Sequence, residues 1–190
     1  MKGSLSPYPP RRAAARTIAL ASALVLLLCA GAPARAHACA HADALPGAAS
    51  GEALRRATLC LLNRERTRRG LARLHPDRRL VRAARRHARD MVRRGYFAHD
   101  SLSGKPFTRR IHRTGYTTGR RWTLAENLGW GAGSSASPAA IVHAWMESPA
   151  HRANVVGPFR EVGVGLALGS PRPGHTGAGT YATEFGSLRR

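Results

Sequence analysis

The 190-residue chain predicts an α+β domain, with helices over both faces of a small antiparallel sheet. Three observations point there. Apolar residues recur at helical spacing between residues 52 and 95. Large and small residues alternate over residues 162–168, as a strand packed on both sides requires. The composition, 43% apolar and 6% aromatic, suits a packed core and not a disordered chain. The length excludes a complete (β/α)8 barrel, which takes about 250 residues. Three cysteines, with no CxxC or HExxH string, exclude a disulfide-dense miniature scaffold, a zinc finger and a zincin.

Residues 1–38 read as an export signal. Lys2, Arg11, Arg12 and Arg16 form a positive n-region and residues 17–30 an apolar h-region. Ala34-Arg35-Ala36 and Ala36-His37-Ala38 both offer small-x-small cleavage sites. The h-region helix would rise about 21 Å, short of the roughly 30 Å hydrocarbon core, so no transmembrane span is expected after cleavage. Arg11-Arg12 leaves a twin-arginine route open beside the general secretory one. Cleavage removes Cys29 and leaves Cys39 and Cys60, an even pair in an oxidising compartment. A Cys39–Cys60 disulfide is therefore expected, stapling the N-terminal arm to the first helix.

Residues 39–50 are rich in Ala, Gly, Pro and Ser and read as a short arm or linker before a domain over residues 51–188. In the first helix Leu54, Ala57, Leu61 and Leu62 face inward, and Arg55, Arg56, Asn63, Arg64 and Arg66 lie elsewhere on the wheel. Gly70 ends it. Asp77 caps a second helix whose Leu80, Ala84, Ala88 and Met91 face the core, with Gly95 as the stop. Arg82, Arg86, Arg89 and Arg93 repeat on another face as a solvated stripe. A shorter helix is expected over residues 106–114, with Phe107 and Ile111 inward. Residues 122–131 read as a strand entering a Gly-rich loop. Ser137-Pro138 opens a helix carrying Ile141, Val142, Trp145 and Met146, and Ser148-Pro149 opens a short turn carrying His151 and Asn154. Residues 170–179 form a Gly/Pro loop, and residues 180–186 a last strand.

The formal charge is +21. Removing residues 1–36 takes away five basic side chains and no acids, leaving +16. Only Lys2 and Lys105 are lysines; so lopsided a ratio, with so much Ala and Gly, points to coding bias before it points to a ligand. The basic helix lacks interleaved aromatics and any known reading motif, so nucleic acid is not an expected partner. Adhesion to anionic polymers, falling with salt, is expected on general grounds.

Six strings in order now stand out: Leu62-Asn63 with Arg64-Glu65-Arg66, Tyr96-Phe97-Ala98-His99-Asp100-Ser101, Ala125-Glu126-Asn127-Leu128, Trp145 through Asn154, Val162-Gly163-Val164-Gly165, and Tyr181 through Gly186. The chain resembles a bacterial CAP domain, the superfamily of cysteine-rich secretory proteins, insect venom antigens and plant pathogenesis-related proteins. The resemblance covers residues 56–186. It implies an α-β-α sandwich with a cleft lined by two His and two Glu that can bind a divalent cation, zinc or calcium. Matched string by string, the first His is His99, the first Glu is Glu126 and the second His is His151. The second Glu position is Ser148, with Glu147 one residue earlier, so the tetrad is incomplete. The implied metal set is His99, His151 and Glu126, and the implied cleft adds Ser148 and Glu147.

Each of these residues also has a plain structural role to fill. His99 can bond Glu126 or a carbonyl from a turn. Ser148 can cap the helix it opens. Asn127 and Asn154 can tie loops to backbone, and His87 reads as a satisfied core histidine. The reading carried forward is a secreted, extracellular or wall-associated binding module for a lipid, glycan, wall polymer or protein. The alternative is a secreted hydrolase using Ser148, His151 and Glu126. No Gly-x-Ser-x-Gly elbow is present to support it.

Overall fold

A computed structural model describes residues 38–189. The export segment, Cys29 with it, lies outside the described residues apart from Ala38. The element order is α1 (Gly51–Thr67), β1 (His75–Pro76), α2 (Arg78–Arg94), α3 (Phe107–His112), β2 (Arg121–Ala132), α4 (Pro138–Glu147), α5 (Pro149–Val155), β3 (Glu161–Leu168) and β4 (Ala178–Arg189). A short 3₁₀ turn, Gly133–Ala136, joins β2 to α4. No helix among the described residues is long and apolar enough to cross a membrane.

The helix starts are set by the capping side chains. Ser50 accepts from the Ala53 N–H at the head of α1, Asp77 from Arg79 and Leu80 at α2, and Ser137 from Ala140 at α4. Gly95 ends α2 in the left-handed conformation, at φ 66°.

The sheet order is β1-β3-β4-β2. β4 pairs antiparallel with both β3 and β2. β1 pairs parallel with β3, His75 opposite Glu161. Two residues are too short to show any alternation, which is why the sequence did not reveal this strand. β2 and β4 also run longer than their side-chain patterns suggest. They pair over twelve positions, Arg121 opposite Arg189 through Ala132 opposite Ala178, so the Gly-rich end of β2 is strand and not loop.

Helices cover both faces of the sheet. On one side α1, α4 and α5 bury Leu54, Leu61, Leu62, Trp145 and Val155 against Val162, Val164, Tyr181 and Phe185. On the other side α2 lays Ala84, Ala88 and Met91 on Leu128, Ala167 and Ala182, and Leu80 and Ala83 cluster with Ile111 of α3. β3 turns its large residues to the first layer and its glycines to α2. A Cβ on Gly163 would lie 2.0 Å from the Leu80 carbonyl carbon, and one on Gly165 2.2 Å from that of Ala84. Only glycine lets the helix backbone come this close.

Two residues of α1 that lie off its inward apolar stripe are also buried. Asn63 donates to the Leu74 carbonyl and accepts from its N–H, at 3.1 and 2.7 Å. Arg66 donates to the carbonyls of Ala72, Val155, Gly157 and Phe159 at 2.8 to 3.0 Å. Both hold loops that have no regular structure of their own. The Cys39–Cys60 disulfide is formed and joins the arm to α1.

Candidate functional site

The candidate site lies along β2, the edge strand of the sheet. In the β2–β4 ladder Glu126 stands directly opposite Glu184, both aimed into the α2/α3 layer. Glu126 is 5% exposed and Glu184 is 0% exposed. Two like charges facing each other across a ladder repel, and their burial deepens the cost. Arg110 of α3 answers this. Its Nε donates to Glu184 Oε1 at 2.9 Å, and its Nη2 donates to Glu126 Oε2 and, at 2.8 Å, to the His99 carbonyl.

Burial raises the pKa of both carboxyl groups. Glu184 is raised well above the usual range, by burial first and then by Glu126 beside it. Glu126 is raised by burial but opposed by Arg110. Arg110 opposes the rise at both groups, and Glu184 Oε2 stays buried without a hydrogen-bond partner of its own. Neither Arg110 nor Glu184 was singled out from the sequence. The available signal was a Glu on the far face of the last strand, which is meaningful only once that strand is known to lie against Glu126.

His99 comes from the loop after α2. Its Nδ1 is 2.7 Å from Glu126 Oε1, and just over half of its side chain is exposed. Burial, then Arg110, lowers its pKa below the ordinary imidazole value. The neutral ring donates Nδ1–H to the carboxylate and leaves Nε2 free as an acceptor. His87 of α2 packs behind, its Nε2 3.0 Å from the Ala98 carbonyl. Burial first and then Arg110 push it down to about 3, so it is the neutral, satisfied core histidine the sequence suggested.

His151 enters from the other helical layer, on α5. Asn127 of β2 donates to the His151 carbonyl at 3.0 Å, and Asn154 donates to the Glu126 carbonyl and to Asn127 Oδ1. These bonds fix α5 to the strand that carries Glu126, as expected for Asn127 and Asn154. Burial, then His99, lowers the His151 pKa.

Three expectations are corrected here. Ser148 does not cap α5: no backbone N–H reaches its hydroxyl, which lies 2.9 Å from His151 Nδ1 instead. His151 is the third residue of the helix, where a side chain can reach back to the residue before the first turn. Glu147 lines a groove with Glu65, Arg68, His143 and Arg152, in which His99, Glu126 and His151 take no part. Glu126 bonds His99 and Arg110, not His151, so Ser148, His151 and Glu126 form no relay.

Among the described residues no group of three or more His, Cys, Asp and Glu side chains is placed to hold a metal ion. Glu126 spends both oxygens on His99 and Arg110, which makes it an orienting group and not a ligand. His99 and His151 have only Nε2 left to offer, and the guanidinium of Arg110 beside Glu126 and His99 opposes a cation. The set His99, His151 and Glu126 does not fit a three-ligand zinc or calcium site.

A family model described as the cysteine-rich secretory protein family, CAP, matches residues 59–181. The uncharacterized protein YkwD of Bacillus subtilis is 36% identical over 108 residues, which cover 55% of this chain and 39% of that relative. The match thus spans about two fifths of the relative's length. An outer surface protein from Borrelia burgdorferi superposes with a TM-score of 0.62 at 18% identity, covering 74% of this chain and 97% of that one. An extracellular SCP-domain protein from Bacillus anthracis gives 0.56 at 24% identity, covering 76% and 45%. A cysteine-rich secretory protein from Staphylococcus aureus gives 0.55 at 19%, covering 74% and 40%.

Proposed function

Because this chain belongs to the cysteine-rich secretory protein (CAP) family, we propose that it is an exported binding module whose cleft takes a polar, uncharged ligand of the glycan kind. The observation that carries this reading is the state of the cleft groups. His99 and His151 are neutral rings, each with Nδ1 already engaged and Nε2 left over. A neutral imidazole and a serine hydroxyl can donate to or accept from sugar hydroxyls without the desolvation cost of a charge. Glu126 is buried and paired with Arg110, so it orients His99 and does not act as a free base. Export is supported by the positive, apolar and small-x-small segments of residues 1–38 and by the formed disulfide.

The test is a titration of the histidine ring resonances with soluble wall-glycan fragments. Shifts at His99 and His151 together, lost in His151→Ala, are the expected result. Unmoved rings would end this reading.

One contact favours a second reading, hydrolysis. Ser148 Oγ and His151 Nδ1 stand at the separation of a nucleophile and its base. His151 lacks the carboxylate that would orient it, which weighs against catalysis. An active-site serine probe that labels the wild type and not Ser148→Ala would move the assignment to this side.

A further inference from the structure

The outer face of α2 carries an open groove of about 610 Å³ that the cleft does not use. Its walls are Arg78, Arg82, Arg85, Arg86 and Arg89, and no acidic residue lines it. None of the five forms an ion pair among the described residues. That sets them apart from Arg55, Arg56, Arg68 and Arg69, which all sit beside Glu52 or Glu65. Coding bias can account for the number of arginines. It gives no reason for five unpaired ones to share one concave surface.

The helix that presents them is unusually well seated. Its backbone rests on Gly163 and Gly165, so the arginines project from a fixed base. Arg78, Arg82 and Arg86 recur every four residues, a stride of about 6 Å, and Arg85 and Arg89 form a second row beside them. Arg86 and Arg89 also line the next groove, which runs on to His87 and Arg110. That second groove also holds Asp90 and Tyr96, so the uniformly positive track is the first groove, which starts at Pro76 of β1.

We propose that this track is a docking surface for a linear polyol-phosphate chain, one whose phosphodiester groups lie in register with successive guanidinium forks. Arginine binds phosphate oxygens two at a time, and a double row favours a narrow polymer over an isolated ion. The only other residues lining the groove, Pro76 and Val81, offer no ring on which a base could stack, which disfavours single-stranded nucleic acid. A concave surface with no exposed aromatic or large apolar residue is also a poor fit to a flat lipid bilayer. This surface stands independently of the ligand assigned to the cleft.

Anisotropy of a labelled glycerol-phosphate oligomer of defined length tests it. Arg82→Gln/Arg85→Gln/Arg86→Gln/Arg89→Gln is compared with Arg73→Gln/Arg120→Gln/Arg160→Gln/Arg172→Gln, which removes the same charge from scattered exposed sites. At about 0.15 M salt the groove variant should lose about tenfold or more in affinity and the scattered variant less than about threefold. Thermal melts of both confirm folding, and the double variant Arg82→Gln/Arg86→Gln replaces the quadruple one if the latter does not fold. Equal losses in the two variants would overturn the proposal, because the binding would then be general electrostatics. So would absence of binding at that salt, or equally tight binding of oligothymidylate or of phosphatidylglycerol vesicles.

Discussion

Arg66 and Arg110 are both drawn into the protein, one in each helical layer, and they are neutralised in opposite ways. Arg66 meets no carboxylate. Its guanidinium is wrapped by four backbone carbonyls, and its role is to hold the chain between α5 and β3. Arg110 meets two carboxyl groups and one carbonyl, and its role is to let Glu126 and Glu184 share one side of the sheet. The first arrangement spreads charge over dipoles and is indifferent to protons. The second places ionisable groups within reach of each other, with His99 at the solvent end. The layer of α1 and α5 holds its buried arginine with neutral acceptors, and the layer of α2 and α3 holds its own with titratable ones.

The largest effect should come from removing the seat on which the second layer rests. Gly165→Val puts side-chain atoms where the Ala84 backbone now lies, and α2 must lift from β3. We expect a loss of about 4 kcal/mol or more in denaturant unfolding, with the Arg110 network disrupted in the process. A variant that unfolds at the wild-type midpoint would show that the close approach is not needed.

The two arginines can then be compared directly. Arg110→Met and Arg66→Met should each cost about 3 kcal/mol at neutral pH, the first by stranding a buried charge, the second by stranding carbonyls. Their pH profiles should differ. Without Arg110, the folded Glu126 holds a proton that the unfolded chain releases above pH 4.5. The Arg110→Met deficit should therefore grow as pH rises above that value and shrink as pH falls towards it. The Arg66→Met deficit should stay flat. Parallel profiles would remove the distinction between the layers.

The last effect is spread over a pH window and concerns His87. Its ring stays neutral in the fold down to pH about 3, and the unfolded ring takes up a proton below about 6.5. Wild type should lose stability on acidification through that window, by at most about 1.4 kcal/mol per pH unit from this residue. His87→Gln should lack that component. Equal slopes for the two proteins between pH 6.5 and 4 would show that the histidine is not buried as described.

The starts of α2 and α4 and the stop of α2 were legible because Asp77, Ser137 and Gly95 act on their immediate neighbours. The Cys39–Cys60 pair was legible by counting. His99, Glu126 and His151 were found through family resemblance, since their separation along the chain carries no signal. Arg110 stayed hidden because it is one arginine among many, and only the fold sets it between two carboxyl groups. Ser148 was misread for a different reason. The spacing that makes a serine a cap also brings the third helical residue back over it, and here that residue is an imidazole.

The placement of Glu126 opposite Glu184 has a consequence for assembly as well as for the site. β2 and β4 are far apart along the chain, and each could in principle align with the other in several ways. Slipping either strand by one position would turn its carboxyl group to the opposite face, away from Arg110. An alignment error would thus abandon a buried guanidinium and a carboxylate at once, and the misfolded form would carry that penalty before any ligand arrived. The buried trio of Glu126, Glu184 and Arg110 thus also proofreads the register of the sheet.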